Sequence, residues 1–212
     1  MAGTGVRLQE VHPSIVHFPI AFLPLAIGAD ALGRATDNPA LMKVGKTAIA
    51  LAAGGAALAG ATGLIAQQEV DADGRALDML ITHRNLNLVA LAGATALAVN
   101  RWTTKKPGIG YLLAGLASVA LVSYTAYLGG HMVYELGVGV KPADGLKKEG
   151  TVPEIAPGHL RHAARAAGRD LVQGTELTVK EIGEGKLVPA ITHSRGKGNG
   201  ASRSGEASSG QP

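Results

Sequence analysis

The sequence predicts an all-α fold: a polytopic four-helix transmembrane bundle followed by a partly disordered soluble C-terminal tail. Three observations carry this. Hydrophobic residues make up 46% of the 212 against 17% charged and 3% aromatic, an imbalance foreign to soluble domains. The mean hydropathy of +0.18 conceals a division, because the apolar residues crowd between Ile15 and Val140 and the remainder is polar. Within that part four runs lack strongly charged interruptions: Val11–Ala29, Thr47–Ala66, Asn85–Asn100 and Gly108–Val133. Each approaches the ~20 residues with which a helix crosses ~30 Å of hydrocarbon.

The first run, "VHPSIVHFPIAFLPLAIG", opens with two histidines beside prolines. "ADA" at Ala29–Ala31 resembles a signal-peptide cleavage site, but Glu10 offsets Arg7 and the run is too long for such a peptide, so it reads as a true span. Pro13 lacks an amide hydrogen and favours a helix start, which makes His12 the cap of the first helix, in the interface. His17 lies about 7.5 Å deeper and ~140° around the axis, on a different face. It is therefore expected to point inward, toward His83 or His131.

The second run carries Gly55, Ala59, Gly60 and Gly63, a small-residue face suited to close helix packing, and then Gln67. The third is short unless it begins near Leu80, which sets His83 and Arg84 at the interface, with Asn87 one turn beyond. On the fourth, Tyr124, Tyr127, His131 and Glu135 form one stripe, and Gly129 and Gly130 remove side chains just before His131. Asp30 is expected to pair with Arg34 one turn on.

Between the runs, "GRATDNPALMKVGK", "QQEVDADGRALDM" and "NRWTTKKPGIG" read as connections. The first and third hold Arg34, Lys43, Lys46, Arg101, Lys105 and Lys106 against Asp37, whereas the second holds Glu69, Asp71, Asp73 and Asp78 against Arg75 and Arg84. The excess of cations places the first and third on the cytoplasmic side, with both termini outside. His12, His17, His83 and His131 then share the outer side.

The chain divides into a transmembrane domain over residues 1–140, a linker with short amphipathic helices over 141–194, and a disordered tail over 195–212. Arg161, Arg165 and Arg169 recur one turn apart, a basic stripe suited to anionic headgroups. No aromatic interleaves them and no nucleic-acid motif accompanies them, so the pI of 9.4 makes no case for nucleic acid. Phosphate-binding glycine loops, nucleophile elbows and HExxH motifs are missing, which leaves hydrolase and NTPase readings without support. With no cysteine in the chain, disulfides, thiolate metal ligands, covalent c-type haem and cysteine-ligated iron–sulfur clusters are excluded, so any metal rests on histidine or oxygen.

"HPSIVHFPIAFLPLA", "THRNLN" and "YLGGHMVYELGVGV" resemble the bacterial four-helix membrane proteins of domain of unknown function 2231, over roughly Val11–Val140. The matching positions are His12, Pro13, His17, Pro19, His83, Asn87, Gly129, Gly130 and Tyr134; His131 is not among those the family fixes. Some relatives join this unit to Rieske or cytochrome c domains, so the resemblance implies a redox neighbourhood.

Two functions follow as expectations. One is a redox unit binding haem b, with copper as the lesser alternative, that exchanges electrons with a quinone or an extracytoplasmic partner. His17, His83 and His131 are the candidate ligands, Gly129 and Gly130 clear the macrocycle, Arg84 meets the propionates, and Tyr124 and Tyr127 position the ligands. The other is a non-catalytic membrane scaffold or accessory subunit whose polar groups satisfy one another.

Overall fold

The computed structural model describes residues 6–139, 154–155 and 158–192. The expected disordered tail over 195–212 lies outside these residues, as does most of the expected linker. Apart from a two-residue antiparallel pairing of β1 (Val6–Arg7) with β2 (Glu154–Ile155), the described chain is helical: α1 (Leu8–Ile15), α2 (His17–Ala35), α3 (Pro39–Glu69), α4 (Gly74–Thr103), α5 (Ile109–Tyr134), α6 (Leu160–Gly183) and α7 (Pro189–Thr192).

The breaks follow local chemistry. Pro13 lies inside α1, and the chain passes through Val16 into α2 with helical backbone and the hydrogen bonds Val16 N–H to His12 O and Ile20 N–H to Val16 O. The first apolar stretch is thus helical from before His12, divided only at Val16, and the expectation that His12 caps it is overturned. At the next turn Asp37 takes a positive φ of 50°, and the Asn38 side chain accepts from the amides of Ala40 and Leu41 at 2.9 and 3.2 Å, with Pro39 opening α3. This is an N-cap followed by proline at the first helical position.

Short connections make successive helices antiparallel neighbours. α2 packs on α3, α3 on α4, α4 on α5 and α5 back on α2, while α1 lies against α3. The centre is built from Leu23, Ala26, Ile27, Ala48, Ile49, Ala52, Leu97 and Tyr111. Small residues let the backbones approach: a Cβ on Gly115 would run into Ile27, and one on Gly55 would lie 2.6 Å from Phe18 Cβ. Outward lie Leu32, Leu58, Val89, Val99, Leu113 and Leu116, all exposed and apolar. Such an apolar exterior suits lipid.

Among the described residues, three stretches are long and apolar enough to cross a membrane: Glu10–Ala35, Pro39–Glu69 and Ile109–Tyr134. α4 matches them in length, and it starts well before the expected Leu80, but His83, Arg84, Asn85 and Asn87 lower its apolarity. The expectation of four apolar spans is met by three. Past the bundle, the short helices expected after residue 158 prove to be mainly one helix of 24 residues, α6, which packs on α3, while α7 packs on α4.

Candidate paired-imidazole site

At the end where α2 finishes and α5 begins, the polar groups form a closed cluster. Arg101 Nε donates to Asp30 Oδ1 and Oδ2 at 3.0 and 2.9 Å, and Tyr111 donates to Oδ2 at 3.0 Å. Arg101 Nη1 and Nη2 donate to the carbonyls of Thr104 and Met42. Asp30 is fully buried and Arg101 only 2% exposed. Gly45 admits the carboxylate, since a Cβ there would collide with it. The expected pairing of Asp30 with Arg34 does not form, because Asp30 faces the bundle interior and Arg34 instead donates to the Pro107 carbonyl at 2.6 Å. In the adjoining loops Lys106 beside Asp37 holds that carboxyl below its ordinary range. With every charge here partnered, the cluster is structural.

The opposite end is built differently. His12 Nδ1–H donates to the Ala59 carbonyl at 3.0 Å, and a Cβ on Gly63 would stand 3.1 Å from His12 Cε1. His83 Nδ1–H donates to the Thr125 carbonyl at 3.0 Å, and a Cβ on Gly129 would stand 3.2 Å from His83 Cε1. The two seats are alike: a carbonyl takes Nδ1–H, and a glycine four residues later on the same helix lies beneath the ring. The spacing extends down the bundle, where Asp30 follows His12 by as many residues as Arg101 follows His83, and Ala59 follows Gly45 as Thr125 follows Tyr111. The hairpins α1/α2–α3 and α4–α5 thus place corresponding residues in the histidine seats and in the ion-pair cluster. His12 and His83 lie within electrostatic reach of one another.

Because a carbonyl oxygen can only accept, Nδ1 carries a proton in both rings, and in the neutral imidazole Nε2 then keeps its lone pair. His83 Nε2 accepts from the Asn87 amide at 3.1 Å. For His12 Nε2 no hydrogen bond is found among the described residues.

The other expected site residues fall elsewhere. His17 is exposed, with no hydrogen-bond partner among the described residues, so the inward histidine of the first stretch is His12. The two do lie on different faces, as helical rotation requires, but the helix starts earlier than Pro13 suggested, and His12 sits within it with its ring on the Ala59 carbonyl of α3. His131 is held by Glu135, 2.9 Å from Nδ1, and by Arg75, 3.3 Å from Nε2, with the Tyr127 ring centroid 5.9 Å away. Among the described residues no group of three or more histidines and carboxylates is placed to hold a metal ion, so His17, His83 and His131 do not assemble. Gly129 makes room for the His83 ring, and Gly130 faces open space. Tyr124 and Tyr127 are exposed.

Arg84 is committed as well. Its Nη1 contacts Glu181 Oε2 on α6 at 2.7 Å and Gln67 Oε1 at 3.3 Å, and Nε donates to Asn85 Oδ1 at 3.1 Å. Asn85 Nδ2 reaches the Lys186 and Leu187 carbonyls, and the Ala190 amide donates to Thr82 Oγ1, so α4 binds the segment leading into α7. No sequence signal announced these partners, about a hundred residues away along the chain.

A largely helical fold with, among the described residues, three lipid-compatible helices and a buried polar interior is that of a multi-helix membrane protein. A family described as predicted membrane protein (DUF2231) matches residues 9–142, and the chain belongs to this family. No curated protein and no solved structure matches the chain.

Proposed function

We propose that the chain is a four-span protein of the bacterial cytoplasmic membrane, both termini outside, in which His12 and His83 hold a redox-active transition metal that relays electrons between a quinone and an extracytoplasmic partner. The reading rests on the repeated seat: two imidazoles on different helices, each with Nδ1–H given to a carbonyl, which leaves Nε2 as the ligating atom. Buried ionisable groups within a membrane are costly, and one device built twice argues for use. The fourth crossing is supported by α4 lying between α3 and α5, joined to both by short connections. Orientation is supported by the cations around the connections at Thr36–Asn38 and Thr104–Gly108.

The donor set suits one occupant better than another. Two neutral imidazoles without a carboxylate give a divalent ion too few ligands and no compensating charge, whereas copper(I) accepts two imidazoles at a cost of one positive charge. Haem would supply its own anionic nitrogens, so its iron would also tolerate neutral imidazole ligands. Its macrocycle fits less well, because Gly129 is taken up by the His83 ring and Arg84 is neutralised by Glu181. With either metal, His12 and His83 would supply the ligands, the metal the one-electron chemistry, and Asn87 would yield Nε2.

Metal analysis and optical spectra of protein purified from copper- and haem-supplemented cells test this. Copper or a Soret band is expected, lost in His12→Ala and His83→Ala and kept in His17→Ala. Stoichiometric absence of both from the folded protein, or their loss only in His17→Ala, overturns it. The scaffold reading is favoured by a different observation, the internal partners of Arg84, Asn85 and His131, and predicts that the same substitutions lower stability while changing no spectrum.

A further inference from the structure

α6 turns Ala163, Ala166, Asp170, Gly174, Thr178 and Glu181 toward the bundle. Gly174 lies against the Leu64 carbonyl, where a Cβ would stand 2.5 Å away, and its own carbonyl accepts from Gln67 at 3.2 Å. Glu181 meets Arg84. These contacts hold α6 beside the end of α3 and the early turns of α4, where membrane-crossing helices approach the headgroups. At 100° per residue, Arg161, Arg165, Val172 and Val179 fall within about 40° of one another on the opposite face, and Arg169 lies about 40° beyond. All are exposed, and Glu176 is the acid among them.

The charge order works against an isolated helix. Three arginines occupy the first three turns of α6, its first turn holds no acid, and its N-cap, His159, makes no side-chain cap bond. Cations there oppose the helix dipole, an arrangement that an anionic surface relieves. Exposed valines interleaved on the same face add apolar surface for the boundary between headgroups and acyl chains.

We propose that this face of α6 is a docking surface for the anionic phospholipid headgroups of the bilayer that surrounds α2–α5. The arginines engage phosphates, while Val172 and Val179 enter the interfacial layer. Each arginine contributes about a fivefold gain in partition to an anionic surface, so the three together bias α6 toward it by on the order of a hundredfold.

The 212-residue chain lacks cysteine, so Val172→Cys gives a single spin-label site in it. The protein is reconstituted in vesicles of phosphatidylcholine alone or mixed with phosphatidylglycerol, and label accessibility to oxygen and to a water-soluble nickel chelate is read by power saturation. In mixed vesicles the label should be shielded from the chelate and open to oxygen; high salt, or Arg161→Gln, Arg165→Gln and Arg169→Gln together, should return it to water. A second label at Thr175→Cys guards against distortion by the first and should respond in the same sense. Labels equally open to the chelate in both lipids, as a soluble acidic partner would leave them, overturn the proposal, as does an arginine-free variant that remains shielded.

Discussion

Asp30 and Arg101, which follow His12 and His83 at the same spacing, form a buried ion pair at the opposite end of the bundle from the two imidazoles. The bundle is thus pinned at one end by charges that satisfy each other, while at the other end two rings keep Nε2 oriented away from the carbonyls that fix them.

Breaking that pair from one side should be severe. Arg101→Ala leaves Asp30 buried without its cation, and a loss of about 3–5 kcal/mol is expected. Thermal unfolding in detergent reads it, and Asp30→Asn combined with Arg101→Met should recover part of the loss. Equal destabilisation by the single and double changes contradicts the pairing.

Glycine positions should separate sharply. Gly45→Ala drives a methyl into the Asp30 carboxylate and should cost about 1–3 kcal/mol as overpacking. Gly28 and Gly54 have nothing within 4 Å of such a methyl. Alanine at either should be neutral or stabilising by up to about 1 kcal/mol. Unfolding midpoints in one detergent decide it.

The adjacent glycines on α5 offer a sharper contrast. Gly129→Ala presses on the His83 ring, where the contact would be 3.2 Å, whereas Gly130→Ala meets open space. The first should lower bound metal and the unfolding midpoint, and the second should leave both unchanged. Equal effects would place the His83 ring elsewhere.

Glu181→Ala removes the carboxylate facing Arg84, which also contacts Gln67 and Asn85. Hydrogen exchange in α6 and α7 should accelerate, by about tenfold or more, while the central amides of α2 and α3 keep their protection, because the docked segment opens as its own unit. Acceleration spread through the whole bundle would show that α6 is integral to it.

Topology is readable with introduced cysteines and an impermeant thiol reagent. Asp71→Cys, in the acidic connection, should label from outside intact cells, and Lys105→Cys only after permeabilisation. The reverse pattern inverts the orientation.

Composition and periodicity by themselves determined that the chain is helical, that its apolar part belongs in a membrane, and where the connections fall. Long runs of alanine and leucine allow no other way to satisfy backbone groups in lipid, and clustered charge, Asn38 and Pro39 mark the turns. The small-residue packing face and the rotation of His12 away from His17 were legible too, since both depend on helical geometry alone. Tertiary structure decided the rest. Which histidine turns inward depended on a helix starting four residues before His12, and the seats themselves needed Ala59, Gly63, Thr125 and Gly129 brought alongside from other helices. Asp30 chose Arg101 over the nearer Arg34, and Arg84 chose Glu181, because a buried charge pairs with whatever the packing delivers to its side of the helix, at a separation along the chain that no local rule constrains.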